Sequence, residues 1–317
     1  MFTSSIRDGL KQAGFDPDQF VPSGLNSLRG PCPICQGTRR FLVFVDLPFP
    51  AWYCLCDGCG KKGWLDKVIP GAKFKRPTPE TLAQAQGELE EEKRRIAQVR
   101  EENLAEFTKD TGRFDEYHLS MTQDQRRAWR DAGIPNEWQV YWNLGFTKDR
   151  VFSFEDMAFR RSALVIPKYD IGWRLVNADY RLIDPPEGVG KYRPEPFLPP
   201  SAFLTRPDRS PWESSLLLIV EGSKKAMVSR IFIPDDTIDI VGIPGVNSWC
   251  RVDELAKTAG RVVVALDPDA HKVAQGLAST IGKSAIAITL PTKIDDGFLE
   301  YELTWDTLKK VIRNTRR

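Results

Sequence analysis

The sequence predicts an α/β core, a parallel sheet flanked by helices, preceded by a small β module and a helical linker. Three observations support this organisation. Five of the six cysteines lie between residues 32 and 59, a long polar helical pattern covers residues 79–107, and apolar strands alternate with helices from residue 216 onward. The chain has 317 residues, 41% hydrophobic and 28% charged, which is typical of a globular protein with two or three domains.

Composition excludes some classes of protein and favours others. No run of about 18 apolar residues occurs, so we predict no membrane span. The first 20 residues lack the apolar segment of a signal peptide, and we expect a cytoplasmic location. The net charge is only +2, so nucleic-acid binding requires local clusters. Residues 1–76 provide one, with eleven Lys and Arg against six Asp and Glu, and the C-terminus is also basic.

The clustered cysteines predict a metal site. Cys32 and Cys35 form one CxxC pair and Cys56 and Cys59 a second, with twenty residues between the pairs. Two such pairs across a hairpin give four thiolates around one Zn²⁺, as in a zinc ribbon. A reducing cytosol disfavours the other interpretation, a pair of disulfides. We prefer Cys56 as the third ligand because it completes a CxxC pair, and Cys54 is the alternative.

Basic and aromatic residues surround these cysteines. They are Arg39, Arg40, Lys61, Lys62, Trp52, Tyr53 and Trp64. Cations that follow phosphates and aromatic faces that stack on bases would bind single-stranded nucleic acid. Alternatively, the aromatic rings fill the core of a module too small to fold without metal. For Trp52 and Tyr53 we give the second interpretation at least equal weight.

Residues 76–150 predict a helical linker and a small helical module. The segment 79–107 carries Glu, Lys and Arg at helical spacings and predicts a solvated spacer helix. Two short helices, broken at Gly133 and Pro135, follow it. We therefore divide the chain into residues 1–75, 76–150 and 151–317.

The third part contains strands. Residues 162–183 predict a hairpin with its turn at 170–172. Strands are then predicted at 216–220, 237–245, 261–270 and 284–291, with helices between them. This alternation predicts a parallel sheet covered by helices. We divide this part into a basic subdomain, 151–212, and a sheet domain, 213–300, with a basic helix after it.

Acidic residues follow two of these strands. Glu221 comes directly after "LLLIV", and Asp267 and Asp269 come after "VVVAL". Sites in parallel sheets lie beyond the carboxyl ends of the strands, so we expect these three carboxylates to share one edge. Such oxygens suit Mg²⁺ or Mn²⁺ and phosphoryl chemistry. The alternative is that each acid only caps the following helix.

The motifs "VEG" with "SKKA", "GIPGVNSW", "ALDPDA" and "LPTKIDDGFL" together resemble the Toprim fold of DnaG-type DNA primases, especially those of phages and mobile elements. The resemblance covers residues 25–70 and about 160–300. It implies that Glu221, Asp267 and Asp269 are catalytic and hold Mg²⁺ or Mn²⁺. It adds Asp295 and Asp296, which follow Lys293 in "KIDD", as further candidate ligands.

The resemblance extends upstream of the sheet domain. The segments "ALVIPKYDIGWRLVNADYRL" and "GKYRPEP" are similar to the subdomain that precedes Toprim in primases, and Arg181 and Lys191 match its basic positions. With Lys224, Lys225 and Lys293, these residues are predicted to hold phosphates of nucleotide or template. One position departs from the family, because Lys225 stands where many primases have aspartate.

The resemblance implies a primase, a nucleotidyltransferase of DNA replication that makes short primers on single-stranded DNA from nucleoside triphosphates. One structural Zn²⁺ and Mg²⁺ or Mn²⁺ are the expected cofactors, and a separate replicative helicase is a candidate partner. If the chain is phage-encoded, we expect it in the host cytoplasm. The alternatives are a recombination or topoisomerase-type protein with a Toprim domain and a non-catalytic binder of single-stranded nucleic acid.

Overall fold

The computed structural model describes most of the chain in two compact units, residues 1–96 and 97–317. The described residues are 10–11, 16–22, 27–32, 34–36, 41–44, 51–54, 62–64, 79–154, 157–208, 215–245, 252–256, 259–282 and 284–315. No helix among them is long and apolar enough to cross a membrane. The division into three parts made from the sequence stays a prediction.

The first unit contains an antiparallel sheet of five short strands in sequential order. The strands are β1 (Val21–Pro22), β2 (Ser27–Gly30), β3 (Phe41–Phe44), β4 (Ala51–Cys54) and β5 (Lys62–Trp64). A short 3₁₀ helix, Pro17–Gln19, precedes them. Gly30 ends β2 against the Phe20 ring, where a Cβ atom would lie 2.5 Å from a ring carbon, so a side chain does not fit there.

Apolar side chains of β3 and β4 form the core of this unit. Phe41 and Val43 alternate with the half-buried Leu42, as expected for a strand with one covered face. The rings of Phe41 and Trp52 stack with centroids 5.1 Å apart. Trp52 is therefore a core residue, while Tyr53 lies exposed on the other face of the sheet.

A long helix runs from the first unit into the second, and three short helices follow it. They are α1 (Pro79–Phe107), α2 (Thr111–Leu119), α3 (Gln123–Asp131) and α4 (Asn136–Tyr141). The long α1 covers the segment predicted from its charge spacing, and α3 and α4 are the two short helices predicted around Gly133. Thr122 begins α3 with a reciprocal capping box to Gln125, which satisfies amide groups at the start of the helix.

An antiparallel sheet of four strands follows. Its strands are β6 (Gly145–Phe154), β7 (Met157–Tyr169), β8 (Leu175–Leu182) and β9 (Tyr192–Pro194), paired in that order. The predicted turn at 170–172 joins β7 to β8. Gly172 has a φ of +96°, a conformation that glycine adopts without strain.

The last part of the second unit is a sheet of five strands with order β10-β12-β11-β13-β14. Its strands are β10 (Phe203–Leu204), β11 (Leu216–Glu221), β12 (Ile238–Ile243), β13 (Val262–Ala265) and β14 (Ala285–Ala287). Its helices are α5 (Ser223–Phe232), α6 (Val252–Ala256), α7 (His271–Ile281), α8 (Ile294–Glu300) and α9 (Trp305–Asn314). Strands β11 to β14 are parallel as predicted, and β10 adds an antiparallel edge strand.

Strand β11 lies at the centre of this sheet and is buried on both faces. Leu218 and Val220 pack in the cluster that includes α5, α8 and α9. Leu217 and Ile219 pack in the opposite cluster with α6 and α7. Each such side chain contributes about 1.5–3 kcal/mol when removed from water. The strand that leads to Glu221 is consequently held by pairing on both sides and by packing on both faces.

Candidate active site and cysteine cluster

Glu221 is the residue that ends β11, and the turn after it is tightly constrained. Gly222 has a φ of +82°, and its amide donates a hydrogen bond of 2.7 Å to the carbonyl oxygen of Ile243 on β12. The neighbouring Gly242 leaves room for this turn, since a Cβ atom there would lie 2.5 Å from the Gly222 carbonyl oxygen. The half-buried Glu221 carboxylate therefore emerges at a fixed place.

Asp267 and Asp269 reach the same edge of the sheet from the neighbouring strand. Val220 of β11 pairs with Ala265, the last residue of β13. Because the strands are parallel, Asp267 lies just beyond the level of Glu221. The 3₁₀ helix Pro268–Ala270 then turns the chain and leaves Asp269 exposed.

Lysines from three positions accompany these acids. The Lys225 Nζ lies 3.0 Å and 3.1 Å from the two carboxylate oxygens of Asp267. The Lys293 Nζ lies 3.8 Å from one of those oxygens. Lys224 instead forms an ion pair of 3.0 Å with Asp295. Two of the lysines predicted to bind phosphate thus have carboxylate partners within 3.1 Å.

The electrostatics of the site leave an excess of negative charge. Burial raises the pKa of the Glu221 carboxyl above its ordinary value, and the charge of Asp267 raises it further. Asp269 also raises that pKa, whereas Lys225 and Lys293 lower it. The net shift is upward. A bound cation would relieve this repulsion.

Asp295, at the start of α8, faces the same region. It is 4% exposed, and its Oδ1 atom has no hydrogen-bond partner among the described residues. Partial burial raises the pKa of the Tyr192 hydroxyl to about 12; Arg181 opposes that shift, and Asp179 and Asp295 add to it. Arg181 and Tyr192 pair across β8 and β9, and the Tyr192 hydroxyl lies close enough to Asp295 for the charge of that carboxylate to act on it.

The remaining predicted residues lie less centrally. Lys191 is exposed just before β9, and its carbonyl oxygen accepts a hydrogen bond of 2.8 Å from the amide of Leu182. Asp296 is half-buried in the first turn of α8. Among the described residues, these two have no side-chain hydrogen bond or ion pair to Glu221, Asp267 or Asp269.

The first unit brings three cysteines together. The sulfur atoms of Cys32, Cys35 and Cys54 all lie within 4.8 Å of one another. The distance between the sulfurs of Cys35 and Cys54 is 3.6 Å, near the roughly 3.8 Å between thiolates at Zn–S bonds of about 2.3 Å in a tetrahedron. It is too long for a disulfide, whose S–S bond is about 2.0 Å.

This cluster bears on the choice of third ligand. Cys54, the alternative in the sequence-based assignment, is the cysteine that the structure places beside the first CxxC pair. Cys56 and Cys59 lie outside the described residues, so the preference for Cys56 is untested. Within the described ranges, this is the only group of three or more His, Cys, Asp or Glu side chains whose ligand atoms all lie within 4.8 Å of one another. The carboxylates near Glu221 are therefore more widely spaced.

Comparisons with known proteins give structural neighbours. No family model matches the chain, and no curated protein does. The zinc-binding and RNA polymerase domains of the Aquifex aeolicus primase align with a TM-score of 0.53 and 16% identity, over 94% of this chain and 80% of that one. The fold is that of DnaG-type primases.

Two further structures agree. The RNA polymerase domain of Mycobacterium tuberculosis primase DnaG, in complex with a double-stranded DNA oligomer with an overhang, aligns with a TM-score of 0.51 and 12% identity. That alignment covers 65% of this chain and 78% of the other. A DnaG primase catalytic domain bound to single-stranded DNA aligns with a TM-score of 0.50 and 14% identity. That alignment covers 68% of this chain and 81% of the other. These identities establish the fold alone, and at that level the predicted resemblance is confirmed.

One group of residues beside the site was missed by the sequence analysis. Lys168 on β7 is 1% exposed, and its Nζ lies 2.8 Å from the Oδ2 atom of Asp179 on β8. Ser223 Oγ donates a hydrogen bond of 2.8 Å to the same oxygen. Since Ser223 is two residues after Glu221, this group connects the four-stranded sheet to the turn that positions Glu221. The available signal was a lysine within the apolar strand "ALVIPKY".

Proposed function

We propose that this chain is a DNA primase that joins nucleotides at the edge of the sheet where Glu221, Asp267 and Asp269 lie. One observation carries the proposal: acids follow two adjacent central strands in a chain with the fold of DnaG-type primases. In this proposal the five-stranded sheet and its helices form the Toprim core, and the four-stranded sheet is the basic subdomain before it.

The donor set fits a divalent cation. Carboxylate oxygens are the ligands that Mg²⁺ and Mn²⁺ prefer, and burial together with the neighbouring charge of Asp267 raises the pKa of the Glu221 carboxyl. Glu221, Asp267 and Asp269 would hold the ion, with Asp295 and Asp296 as further candidates. When bound, it lowers the pKa of the attacking hydroxyl and neutralises charge on the triphosphate.

In the proposed reaction, the 3′-hydroxyl oxygen of one nucleotide attacks the α-phosphorus of a nucleoside triphosphate. A new oxygen–phosphorus bond forms while the bond from the α-phosphorus to the bridging oxygen breaks, and pyrophosphate leaves with that electron pair. The hydroxyl proton passes to a base. Glu221 is placed either to hold the ion or to accept this proton.

Basic residues around the edge would bind phosphates. Lys293 has 55% of its side chain exposed, Lys191 is exposed and Arg181 is half-buried. Lys224 and Lys225 have carboxylate partners within 3.1 Å, so phosphate would have to compete for them. We therefore assign phosphate binding first to Lys293, Lys191 and Arg181.

The first unit would hold one structural Zn²⁺ and bind the single-stranded DNA template. Cys32, Cys35 and Cys54 supply three thiolates, and Cys56 or Cys59 would supply the fourth. The polymerising unit would take nucleoside triphosphates, and a separate replicative helicase is a candidate partner. This division assigns template choice and initiation to the ribbon and bond formation to the five-stranded sheet.

The decisive experiment is primer synthesis on defined single-stranded templates, with each nucleotide withheld in turn. Glu221→Gln removes a charge but keeps shape, and we expect at least about a hundredfold loss of nucleotide joining with Mg²⁺ or Mn²⁺. Melting temperature and single-strand affinity should be nearly unchanged. The matched control is Glu300→Gln, on an exposed residue at the end of α8. Wild-type synthesis by Glu221→Gln would exclude a catalytic carboxylate.

One observation favours a second candidate, a nucleic-acid binder without catalysis. Lys225 already neutralises Asp267, which a protein that had lost its metal would need. This candidate requires single-strand binding together with no template-dependent incorporation by the wild-type chain under either metal.

Zinc content tests the ribbon. We expect Cys54→Ser to lose most of the bound zinc, because its sulfur lies 3.6 Å from that of Cys35. Metal analysis of the purified full chain measures this, with Cys56→Ser in parallel. Cys250→Ser, at a cysteine far from residues 32–59 in the sequence, is the control. Full zinc content in Cys54→Ser with loss in Cys56→Ser would restore the assignment made from the sequence.

A further inference from the structure

Lys225 holds Asp267 more closely than an ordinary surface ion pair would. Its Nζ is within hydrogen-bond distance of both carboxylate oxygens, at 3.0 Å and 3.1 Å. Only 16% of the Lys225 side chain and 13% of the Asp267 side chain are exposed. The ammonium is therefore shared between both oxygens of a carboxylate that is mostly shielded from water.

The position of this ammonium is set by the fold. Lys225 lies in the first turn of α5, two residues after Ser223, which donates a 2.8 Å hydrogen bond to Asp179. The turn before it is fixed by the bond from Gly222 to Ile243. The lysine therefore extends from a rigid starting point toward the end of β13. A loosely held surface lysine would lack this constraint.

We propose that Lys225 is a built-in cation that takes the place of one divalent ion. The site would then bind a single Mg²⁺ or Mn²⁺, held by Glu221 and Asp269 with the remaining lone pairs of Asp267. The inference rests on the proposed function, because it concerns the metal of that reaction.

Charge balance supports one ion. Glu221, Asp267 and Asp269 carry three negative charges, and Lys225 and Lys293 return two positive ones. One divalent ion brings the site to a single positive charge, which suits an incoming triphosphate. With aspartate at position 225, three net negative charges would remain, and two divalent ions would be needed to reach the same value. Lys225 thus stands in the place of an aspartate ligand, and its positive charge substitutes for that of a second divalent ion.

The test counts bound Mn²⁺ and does not depend on catalysis. The full chain, saturated with Zn²⁺ beforehand, is titrated with Mn²⁺ while free ion is followed by its paramagnetic resonance signal. We expect one site in the wild type, one in Lys225→Arg and two in Lys225→Asp. Lys310→Asp, an exposed position on α9, is the control for a carboxylate added elsewhere and should leave one site.

Two sites in the wild type, or only one in Lys225→Asp, would overturn the inference. If Lys225→Asp does not fold, Lys225→Met decides the question: removal of the ammonium should tighten Mn²⁺ binding about tenfold, and unchanged affinity would overturn the inference. Primer synthesis is measured separately. Synthesis with two bound ions would refute the single-ion site alone, whereas one bound ion without synthesis would refute the primase proposal alone.

Discussion

Two lysine–aspartate pairs lie on either side of the turn after Glu221, and they differ in what surrounds them. The Lys168–Asp179 pair is buried, because the lysine is 1% exposed. The same ammonium also donates a hydrogen bond to the carbonyl oxygen of Ser201. The Lys225–Asp267 pair lies at the edge of the sheet beside Glu221, whose pKa is raised by burial and by the charge of Asp267. The first pair leaves little room for another ligand, and the second has acidic neighbours that still need one.

This difference in surroundings suggests that one pair stabilises the fold and the other belongs to the candidate active site. A buried pair with all its hydrogen bonds satisfied holds two elements in place, but removal of one partner leaves a charge without water or counter-ion. A pair with a further charged group beside it, such as Lys293 beside Asp267, keeps partial compensation when one partner is removed. We infer that Asp179 positions the turn before Ser223, whereas Asp267 takes part in binding.

The largest loss of stability is expected at the buried Lys168–Asp179 pair. Lys168→Met keeps most of the length of the side chain but removes the ammonium, and it leaves buried Asp179 with the Ser223 hydroxyl as its only side-chain donor among the described residues. We expect the free energy of unfolding to fall by about 3–5 kcal/mol. Chemical denaturation of the full chain, followed by a probe in the second unit, measures this loss.

A double variant separates the lost ion pair from lost packing. If Lys168→Met is combined with Asp179→Leu, no unpaired charge remains, and much of the stability should return. A double variant as unstable as Lys168→Met alone would mean that packing of the lysine stem, and not its charge, holds these strands.

Local pattern explains which features could be predicted from the sequence. The residues "LLLIV" and "VVVAL" are apolar without alternation, which identifies strands covered on both faces, and an acid directly after such a strand must reach the sheet edge. Glu221 and Asp267 were found in this way. The edge strand β10 was missed because it has only two residues, Phe203 and Leu204, and its pairing partner is distant in sequence.

Contacts between distant residues explain what could not be predicted. Ser223 and Asp179 are 44 residues apart, and Lys225 and Asp267 are 42 apart, so neither pairing leaves a periodic signal. The cysteine cluster shows the same limit. CxxC spacing favoured Cys56, whereas Cys54 is brought to Cys35 by the pairing of β4 with β3, in which Cys54 lies opposite Phe41.

A smaller effect is expected from the same substitution at the edge. In Lys225→Met, Asp267 keeps the ammonium of Lys293 at 3.8 Å and some contact with solvent. We therefore expect the free energy of unfolding to fall by about 1.5–3 kcal/mol, less than in Lys168→Met, because Lys293 partly replaces the lost charge. The same denaturation experiment, run beside Lys168→Met, gives the contrast directly. Losses of equal size at both positions would show that the two pairs do not differ in the way their burial suggests. A small loss here, together with altered Mn²⁺ binding, would assign Lys225 to the site and Lys168 to the scaffold that supports it.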